Sequence, residues 1–277
     1  MNPLSAGLNF TRENLLPYNG GMFKRDLSFR TPLMNAAGTL GFAPEPRAPV
    51  DWDELGAFVT NPVSMRPRAP VANPESLPYP GGFLLHTGLP NPGFPAVLKK
   101  FAPRWAVSKL PVIVSLMADR PEETSRMVQR LEGLENVAAI ELGFAPLLAD
   151  EIILMAVEMA LGELPLIVSL PWEQVLGLGP RAMQAGAIAI SLSAPRGTLP
   201  LADGPSGARL ISGRLYGPGL FAQALDLVQN TARLGLPVIG AGGVYSRENA
   251  GAMLAAGAMA VQLDSTLWRG QWEAGQE

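Results

Sequence analysis

The stretch Leu236-Pro237-Val238-Ile239-Gly240-Ala241-Gly242-Gly243-Val244-Tyr245-Ser246 carries the strongest indication of the fold. An apolar run rich in β-branched residues ends in three glycines separated by one alanine, and an amphipathic segment begins at Ser246. This order predicts a buried strand, a tight turn, and a helix with Ser246 as its N-cap and Glu248 in its first turn. Because glycine lacks a Cβ atom, the N–H groups of such a turn can approach an anion closely.

A second strand end of the same kind follows further along the chain. The apolar segment 258–263 precedes Asp264, Ser265 and Thr266. Two consecutive strand ends, each followed by small polar residues, are typical of the place where a (β/α)8 barrel binds a phosphate group. The two stretches together therefore predict a phosphate site.

The rest of the chain has the continuous apolar runs expected of parallel strands that are buried on both faces. Segments 27–30 and 32–35 predict either a short hairpin or a plug beneath a barrel, and they lead into a first strand that ends at residues 36–39. Seven further strands are predicted at 57–60, 111–116, 137–142, 165–170, 187–192, 237–240 and 259–263.

Helical patterns alternate with these strands. They cover residues 121–134, 148–161, 173–185, 220–234 and 246–256. Alternating strands and helices form right-handed βαβ units with a parallel sheet, and eight units close most naturally into a (β/α)8 TIM barrel. A doubly wound open sheet is the alternative α/β fold. The helical spacing of Met155 and Met159, and the place of Met253 in the last helix, predict that all three methionines are core residues.

One connection is unusually long. Residues 61–110 are rich in proline and glycine, and a helix is predicted within them at 94–105. Loops of this length are more often binding loops or lids than spacers. We therefore expect a single barrel domain over residues 1–277, with a lid-like insertion at 61–110 over the carboxyl-terminal mouth.

Composition excludes several kinds of function. The 277 residues are 48% hydrophobic and 16% charged, with a net charge of −3, which disfavours a nucleic-acid surface. The absence of cysteine excludes disulfides, thiolate metal sites and a cysteine nucleophile. A single histidine excludes a multi-histidine metal site within the chain. We expect no metal.

Targeting segments are not predicted either. Residues 1–14 lack a basic region followed by an apolar one, so no signal peptide is expected. The most apolar stretch, 147–170, is interrupted by four acidic residues and one proline, which argues against a membrane span. A cytoplasmic protein is the resulting expectation.

The order and spacing of several short motifs resemble the dihydroorotate dehydrogenase family, in particular its soluble class, which folds as an FMN-binding (β/α)8 barrel. The resemblance spans residues 27–268. The motifs are Asn35-Ala36-Ala37-Gly38-Thr39-Leu40-Gly41, 56–60, Pro67-Arg68, Gly88-Leu89-Pro90-Asn91-Pro92-Gly93, 140–142, 213–217 and 240–243.

The resemblance implies that FMN lies across the carboxyl ends of the strands. Its expected contacts are Ala36, Ala37 and Gly38 beside the flavin, Asn61 and Ser169 next to the ring system, and Gly217, Gly242, Gly243 and Ser265 around the phosphate. Asn91 is the expected contact to substrate.

The resemblance fails at the centre of the site. Asn61 and Ser169 stand where the family has lysines, so the positive charge that stabilises a reduced, anionic flavin is absent there. Residues 143–146 (Gly-Phe-Ala-Pro) contain no hydroxyl or thiol, although the family places its catalytic base in this loop. Leu85 and Ala194 replace amide side chains that hold the substrate, so we expect a more apolar pocket.

Asp264 is a further departure, because the family usually has glycine beside the phosphate at this position. A carboxylate 4 Å from a phosphate charge would be repelled by about 4 kcal/mol at an effective dielectric of 20. The side chain could instead point away, cap the following turn, or pair with Arg214. An aspartate after a strand is more often a cap than a ligand.

A few other residues are candidates for chemistry. His86 is a candidate proton donor or acceptor beside the substrate loop, although a lone histidine is more often structural. Ser169, Ser191 and Ser193 lie at strand ends, where they either bind a ligand or form hydrogen bonds to backbone groups.

Arg196 and Arg214 are the basic candidates for binding an anionic group, although exposed arginines are mostly solvated. Tyr216 either stacks on or blocks part of a cofactor. The default role of Glu141 is that of a paired structural carboxylate, and that of Trp172 is packing.

Two functions follow. One is an FMN-dependent oxidoreductase that acts on CH–CH groups with an altered site and oxidises dihydroorotate inefficiently. The other is a non-catalytic barrel, either a pseudoenzyme or a subunit that supports a partner, which has lost flavin binding. We expect a small-molecule ligand at the mouth, no nucleic acid, no membrane, and a possible homodimer.

Overall fold

A computed structural model describes residues 27–48, 50–118, 120–202, 208–268 and 272. Residues 1–14, where no signal peptide is predicted, lie outside these ranges. Within them, eight parallel strands form a barrel. Their bounds are Leu33–Asn35 (β1), Phe58–Val59 (β2), Val112–Met117 (β5), Val137–Gly143 (β6), Leu166–Leu170 (β7), Ala189–Leu192 (β8), Val238–Ala241 (β11) and Ala260–Leu263 (β12). Neighbouring strands in the barrel follow the order β1, β12, β11, β8, β7, β6, β5, β2. The predicted α/β barrel is confirmed, and the open sheet is not formed.

The barrel closes between its two shortest strands, β1 and β2. A parallel bridge joins Met34 to Ala57. The buried side chain of Asn35 completes this seam, since its Nδ2 donates to the carbonyl oxygen of Val59 (2.6 Å) and its Oδ1 accepts from Val59 N–H (2.9 Å). An amide side chain thus replaces ladder hydrogen bonds that the short strands cannot supply.

Helices cover the outside of the barrel. They are α1 (Phe94–Ala106), α2 (Pro121–Glu132), α3 (Asp150–Met159), α4 (Trp172–Gln184), α5 (Phe221–Arg233), α6 (Arg247–Ala255) and α7 (Ser265–Trp268). The predicted helices are confirmed with shifts of one or two residues at their ends. Ser246 caps α6 as predicted, because its side chain accepts from Asn249 N–H. Every helix among the described residues is too short or too polar to span a lipid bilayer.

A second, four-stranded antiparallel sheet was not predicted. It contains β3 (Glu75–Tyr79), β4 (Gly82–His86), β9 (Arg196–Ala202) and β10 (Ala208–Tyr216) in the order β3, β4, β10, β9. Tyr79 pairs with Gly82, so Pro80 and Gly81 form a two-residue turn in which Gly81 has a φ of +87°. The sheet brings the long connection 61–110 against the segment that follows β8. That residues 61–110 act as a lid, and that residues 1–277 form one domain, stay predictions.

The apolar core has two layers. One fills the barrel interior with a ring of residues from all eight strands, and Leu27 and Phe29 pack against it. Of the two alternatives for the first segment, the plug is therefore the one observed. The other layer lies between barrel and helices, where Met253 is fully buried. Met155 and Met159 were predicted to be core and are 44% and 39% exposed, so that prediction is wrong. The inward stripe of α3 is instead Ile153, Ala156 and Val157.

Candidate active site

A buried polar cluster lies in the barrel interior. Glu141 of β6 is 2% exposed, and its Oε2 accepts from Ser191 Oγ (3.0 Å, β8) and Gln262 Nε2 (2.6 Å, β12). β12 lies four places from β6 in the sheet order, on the opposite side of the barrel, so the carboxyl group sits near the barrel axis. Burial raises the pKa of Glu141, while hydrogen bonds from Gln262, Ser191 and Ser115 and the charge of Arg214 lower it in part. The expected paired, structural role of Glu141 agrees with these contacts.

Three glycines at the carboxyl ends of the strands have conformations that favour glycine. Gly217, Gly242 and Gly243 have φ values of +134°, +106° and +72°. A Cβ atom on Gly243 would lie 2.4 Å from the backbone nitrogen of Phe221, just beyond the turn that follows Gly217. The turns after β10 and β11 therefore meet.

Unpaired donors surround this meeting point. Among the described residues, the N–H groups of buried Gly242 and Gly243 have no hydrogen-bond acceptor. Buried N–H groups are almost always paired in folded proteins, so these two donors are open to an acceptor from outside the described chain. Trp172 Nε1 is also buried without a partner in the described chain, and its ring packs where a Cβ of Gly242 would fall, 2.7 Å from Trp172 Cζ2. The sequence indicated only a packing role for Trp172.

The segment after β12 joins the same region. The hydroxyls of Tyr245 and Ser265 are 2.8 Å apart, which ties the turn after β11 to the start of α7. Thr266 Oγ1 is buried and lacks a partner among the described residues. Gly217, Gly242, Gly243 and Ser265 are thus brought together at the predicted phosphate site.

Asp264 is buried and caps α7. Its Oδ1 accepts hydrogen bonds from the backbone N–H and the Oγ of Ser265 (3.0 Å for the latter). Of the alternatives open at the sequence level, the cap is the one observed; no ion pair with Arg214 occurs among the described residues. Burial raises the pKa of Asp264 from 3.8 to about 6, although the hydrogen bonds from Ser265 and Thr266 oppose the rise.

An aromatic group that the sequence did not predict packs beside these turns. Tyr216 stacks on Phe83 of β4 (centroids 5.6 Å apart) and meets Trp268 of α7 edge-on (5.3 Å). Trp268 Nε1 donates to the Thr39 carbonyl oxygen (2.7 Å). The group therefore joins the second sheet to the loop after β1, and Tyr216 has protein neighbours on two sides.

The loop after β1 is held close to the barrel. Ala36 N–H donates to Leu263 O (2.7 Å), and Gly38 has a φ of +89°. The side chain of Asn61 accepts from Gly41 N–H (3.1 Å), and the Asn61 N–H donates to Gly41 O (2.7 Å). Ala36, Ala37 and Gly38 are half-buried at the mouth. The oxygen of Asn61 is thus used internally, and its predicted contact to a flavin ring stays a prediction.

The remaining candidates lie on other strands and loops. Ser169 lies in β7, half-buried, opposite Ser191. His86 ends β4, and its Nδ1 is 2.8 Å from the Ser212 carbonyl oxygen in β10. Asn91 is buried, with its Oδ1 accepting from Gly93 N–H (3.0 Å) and its Nδ2 donating to Ser64 Oγ (3.1 Å). The catalytic role of His86 and the substrate contact of Asn91 stay predictions, and the structure shows internal partners for both.

Comparison with known proteins identifies related sequences. The family model described as dihydroorotate dehydrogenase matches residues 24–145. A protein of Pelobacter propionicus named dihydroorotate dehydrogenase B (NAD(+)), catalytic subunit, is 32% identical over 86% of this chain and 84% of its own length. Proteins of the same name from Trichlorobacter lovleyi (31% identical, 86% and 84%) and Desulforudis audaxviator (30%, 85% and 82%) are similar to the same extent.

Proposed function

The chain belongs to the dihydroorotate dehydrogenase family, and we propose that it is an FMN-dependent oxidoreductase with an altered site that oxidises dihydroorotate inefficiently. The observation that carries the cofactor part is the set of unpaired buried donors at Gly242, Gly243 and Trp172. The altered site is inferred from the loop 143–146, in which no side chain can act as a general base.

The residues at the glycine turns fit a phosphate group. Backbone N–H groups that converge with the start of a helix form a favourable anion site. Gly217, Gly242, Gly243 and Ser265 would hold the phosphate of FMN, and Trp172 Nε1 would add a donor. When bound, FMN supplies the two-electron chemistry that oxidises or reduces a CH–CH bond. The chain's own contribution is to bind and orient that group through backbone donors.

Asp264 fits this site only in its neutral form. Its carboxyl group accepts from Ser265, one of the predicted phosphate contacts. As a carboxylate it would repel the phosphate, whereas the protonated acid could donate a hydrogen bond to it. The raised pKa of Asp264, about 6, makes the protonated form accessible near neutral pH. We therefore expect a phosphate to bind more weakly at alkaline pH.

The centre of the site does not suit dihydroorotate. No side chain of residues 143–146 can remove a proton, and a missing general base costs about 10²–10⁴-fold in such a step. Leu85 cannot hydrogen-bond the polar edge of orotate, so groups of the substrate would be buried unpaired. A substrate with a more apolar body fits better.

An absorbance spectrum tests the cofactor directly. The purified protein is incubated with excess FMN and desalted, and retention of the visible flavin bands is expected. A spectrum that stays flat after loading would contradict flavin binding. It would favour the second candidate, a non-catalytic barrel that supports a partner, for which the buried carboxyl group of Asp264 in the phosphate site is the supporting observation.

Trp172→Phe is expected to weaken FMN binding by about tenfold to a hundredfold, because a hydrogen bond to a charged group contributes about 1.5–3 kcal/mol. The apoprotein should lose only the packing of the larger ring and no hydrogen bond, since Trp172 is buried but its Nε1 has no protein partner among the described residues. Fluorescence titration with FMN and urea unfolding measure the two effects.

Trp105→Phe is the matched control. Trp105 Nε1 donates to Phe42 O (2.7 Å), so this variant should lose about 1–3 kcal/mol of stability and keep its FMN affinity. The opposite pattern, in which only the Trp105 variant loses FMN affinity, would show that Trp172 does not contribute to FMN binding.

Partners and location are further parts of the proposal. The names of the relatives include the words catalytic subunit, so we propose that this chain also assembles, either as a homodimer or with another subunit. Light scattering of the purified protein distinguishes monomer from dimer.

A cytoplasmic location is proposed as well, and cell fractionation tests it.

A further inference from the structure

Two arginines face each other at the barrel end of the β9–β10 hairpin. Arg196 begins β9, and the strand register places it directly opposite Arg214 of β10. Directly opposed residues share one face of the sheet, with Cβ atoms about 4.5–5.5 Å apart. None of the ion pairs in the described part of the chain includes either arginine. Like charges in this arrangement destabilise a sheet, so an anion between them would be stabilising.

The pair lies beside the barrel mouth. Arg196 closely follows the end of β8, and the charge of Arg214 acts on Glu141 at the barrel axis, where it lowers the pKa of that carboxyl group. Arg214 forms no ion pair with Glu141 among the described residues, and the Oε2 of Glu141 is held instead by Ser191 and Gln262. The positive charge of the pair is therefore available to a ligand at the mouth.

The neighbours of the pair are apolar on one side and polar on the other. Leu85 of β4 pairs with Arg214 on the side away from Arg196. Along the hairpin, the hydroxyls of Thr198 and Ser212 form the next cross-strand pair, 2.8 Å apart. A ligand at this place meets an apolar side chain and two guanidinium groups. Planar guanidinium groups match the geometry of a carboxylate.

We propose that Arg196 and Arg214 together bind the carboxylate of a substrate that has an apolar body. The identity of this site as a substrate site rests on the proposed oxidoreductase function, whereas anion binding by the pair does not depend on flavin. The pair supplies the positive charge that Asn61 and Ser169 do not, and it does so from the second sheet rather than from the barrel strands.

Calorimetric titration with trans-cinnamate, a carboxylate on an apolar body, tests the proposal; cinnamamide is its neutral counterpart. The protein should bind cinnamate at least about tenfold more tightly than cinnamamide, with an affinity that falls as salt is added. Arg196→Gln and Arg214→Gln should each weaken cinnamate binding by about tenfold or more, and the double variant should lose the salt dependence. Cinnamate should also raise the melting temperature of the wild-type protein but not that of the double variant.

Arg209→Gln is the matched control, because Arg209 lies further along β10 and pairs with Glu75. Cinnamate should bind this variant as it binds the wild-type protein. If Arg214→Gln does not fold, Arg196→Gln alone tests the proposal, because Arg196 is exposed and its replacement should not prevent folding. Equal affinities for cinnamate and cinnamamide, no binding of cinnamate, or unchanged binding by Arg196→Gln would overturn the proposal.

The titrations are run with and without FMN. Arginine-dependent cinnamate binding by a protein that retains no flavin would support the anion site and reject the oxidoreductase. Flavin retention without arginine-dependent binding would support the oxidoreductase and reject the anion site.

Discussion

Asp264→Asn is expected to tighten FMN binding by about tenfold to a thousandfold at pH 8. Two unit charges 4 Å apart interact by about 4 kcal/mol at an effective dielectric of 20, which is the upper limit of the repulsion removed. The amide keeps the shape of the side chain and can still accept from Ser265. Fluorescence titration with FMN at several pH values measures the change.

The same variant should be more stable than the wild-type protein at neutral and alkaline pH. Burial raises the pKa of Asp264 from 3.8 to about 6, so the native state binds the proton more tightly than the unfolded chain. The free energy of unfolding of the wild-type protein therefore falls as pH rises from about 4 to about 6. This loss amounts to about 3 kcal/mol above pH 6, and the variant avoids it. Urea unfolding at pH 4 and pH 8 should show a gain at pH 8 only.

The pH dependence of FMN binding supplies the control. A phosphate monoester loses its second proton near pH 6, so affinity for the wild-type protein should fall between pH 6 and pH 8 as both groups become charged. The variant should show a weaker dependence. Equal FMN affinities for the two proteins at pH 8 would mean that the phosphate does not lie beside Asp264.

Gly243→Ala is expected to abolish FMN retention, with a loss of at least about a hundredfold in affinity. Gly243 has a φ of +72°, and a Cβ atom would lie 2.4 Å from the backbone nitrogen of Phe221. The backbone must move to relieve this contact, and the N–H groups of the turn move with it. Misplaced donors lose the charge-assisted hydrogen bonds that hold a phosphate, each of which contributes about 1.5–3 kcal/mol.

Gly251→Ala is the matched control, in the interior of α6. A Cβ atom there has no neighbour within 4 Å, so alanine should stabilise the helix by about 0.5–1 kcal/mol and leave FMN binding unchanged. Circular dichroism checks that both variants are folded, and desalting after FMN loading measures retention. A folded Gly243→Ala protein that keeps its flavin would show that this turn does not bind the phosphate.

The barrel itself could be predicted from the sequence because buried parallel strands leave continuous apolar runs. The second sheet could not, since its strands are partly exposed and lack a continuous apolar run, and β3 and β9 each contain a proline. The one indication in the sequence is the dipeptide Asp203-Gly204 between β9 and β10, because Asp-Gly is typical of β-hairpin turns. The error at Met155 and Met159 has a physical cause, because helical spacing alone does not say which of two apolar stripes faces the barrel.

The candidate site was predictable in part. The glycine turns and Ser265 follow from the order of residues at two strand ends, and they meet in the structure. The role of Asp264 as a cap depends on where the backbone turns after β12, which residue identity does not determine. Trp172 is predicted as packing from its sequence context. Only the folded chain shows that its Nε1 lacks a partner among the described residues.

Anaerobic mixing of the FMN-loaded protein with dihydroorotate, followed by the loss of the visible flavin band, measures how fast this substrate reduces the flavin. The catalytic subunit of Pelobacter propionicus, measured alongside, provides the reference. We expect dithionite to reduce the flavin in both proteins, and dihydroorotate to reduce it about 10²–10⁴-fold more slowly in this chain, because residues 143–146 contain no base. Reduction by dihydroorotate at the rate of the reference protein would contradict an altered active site.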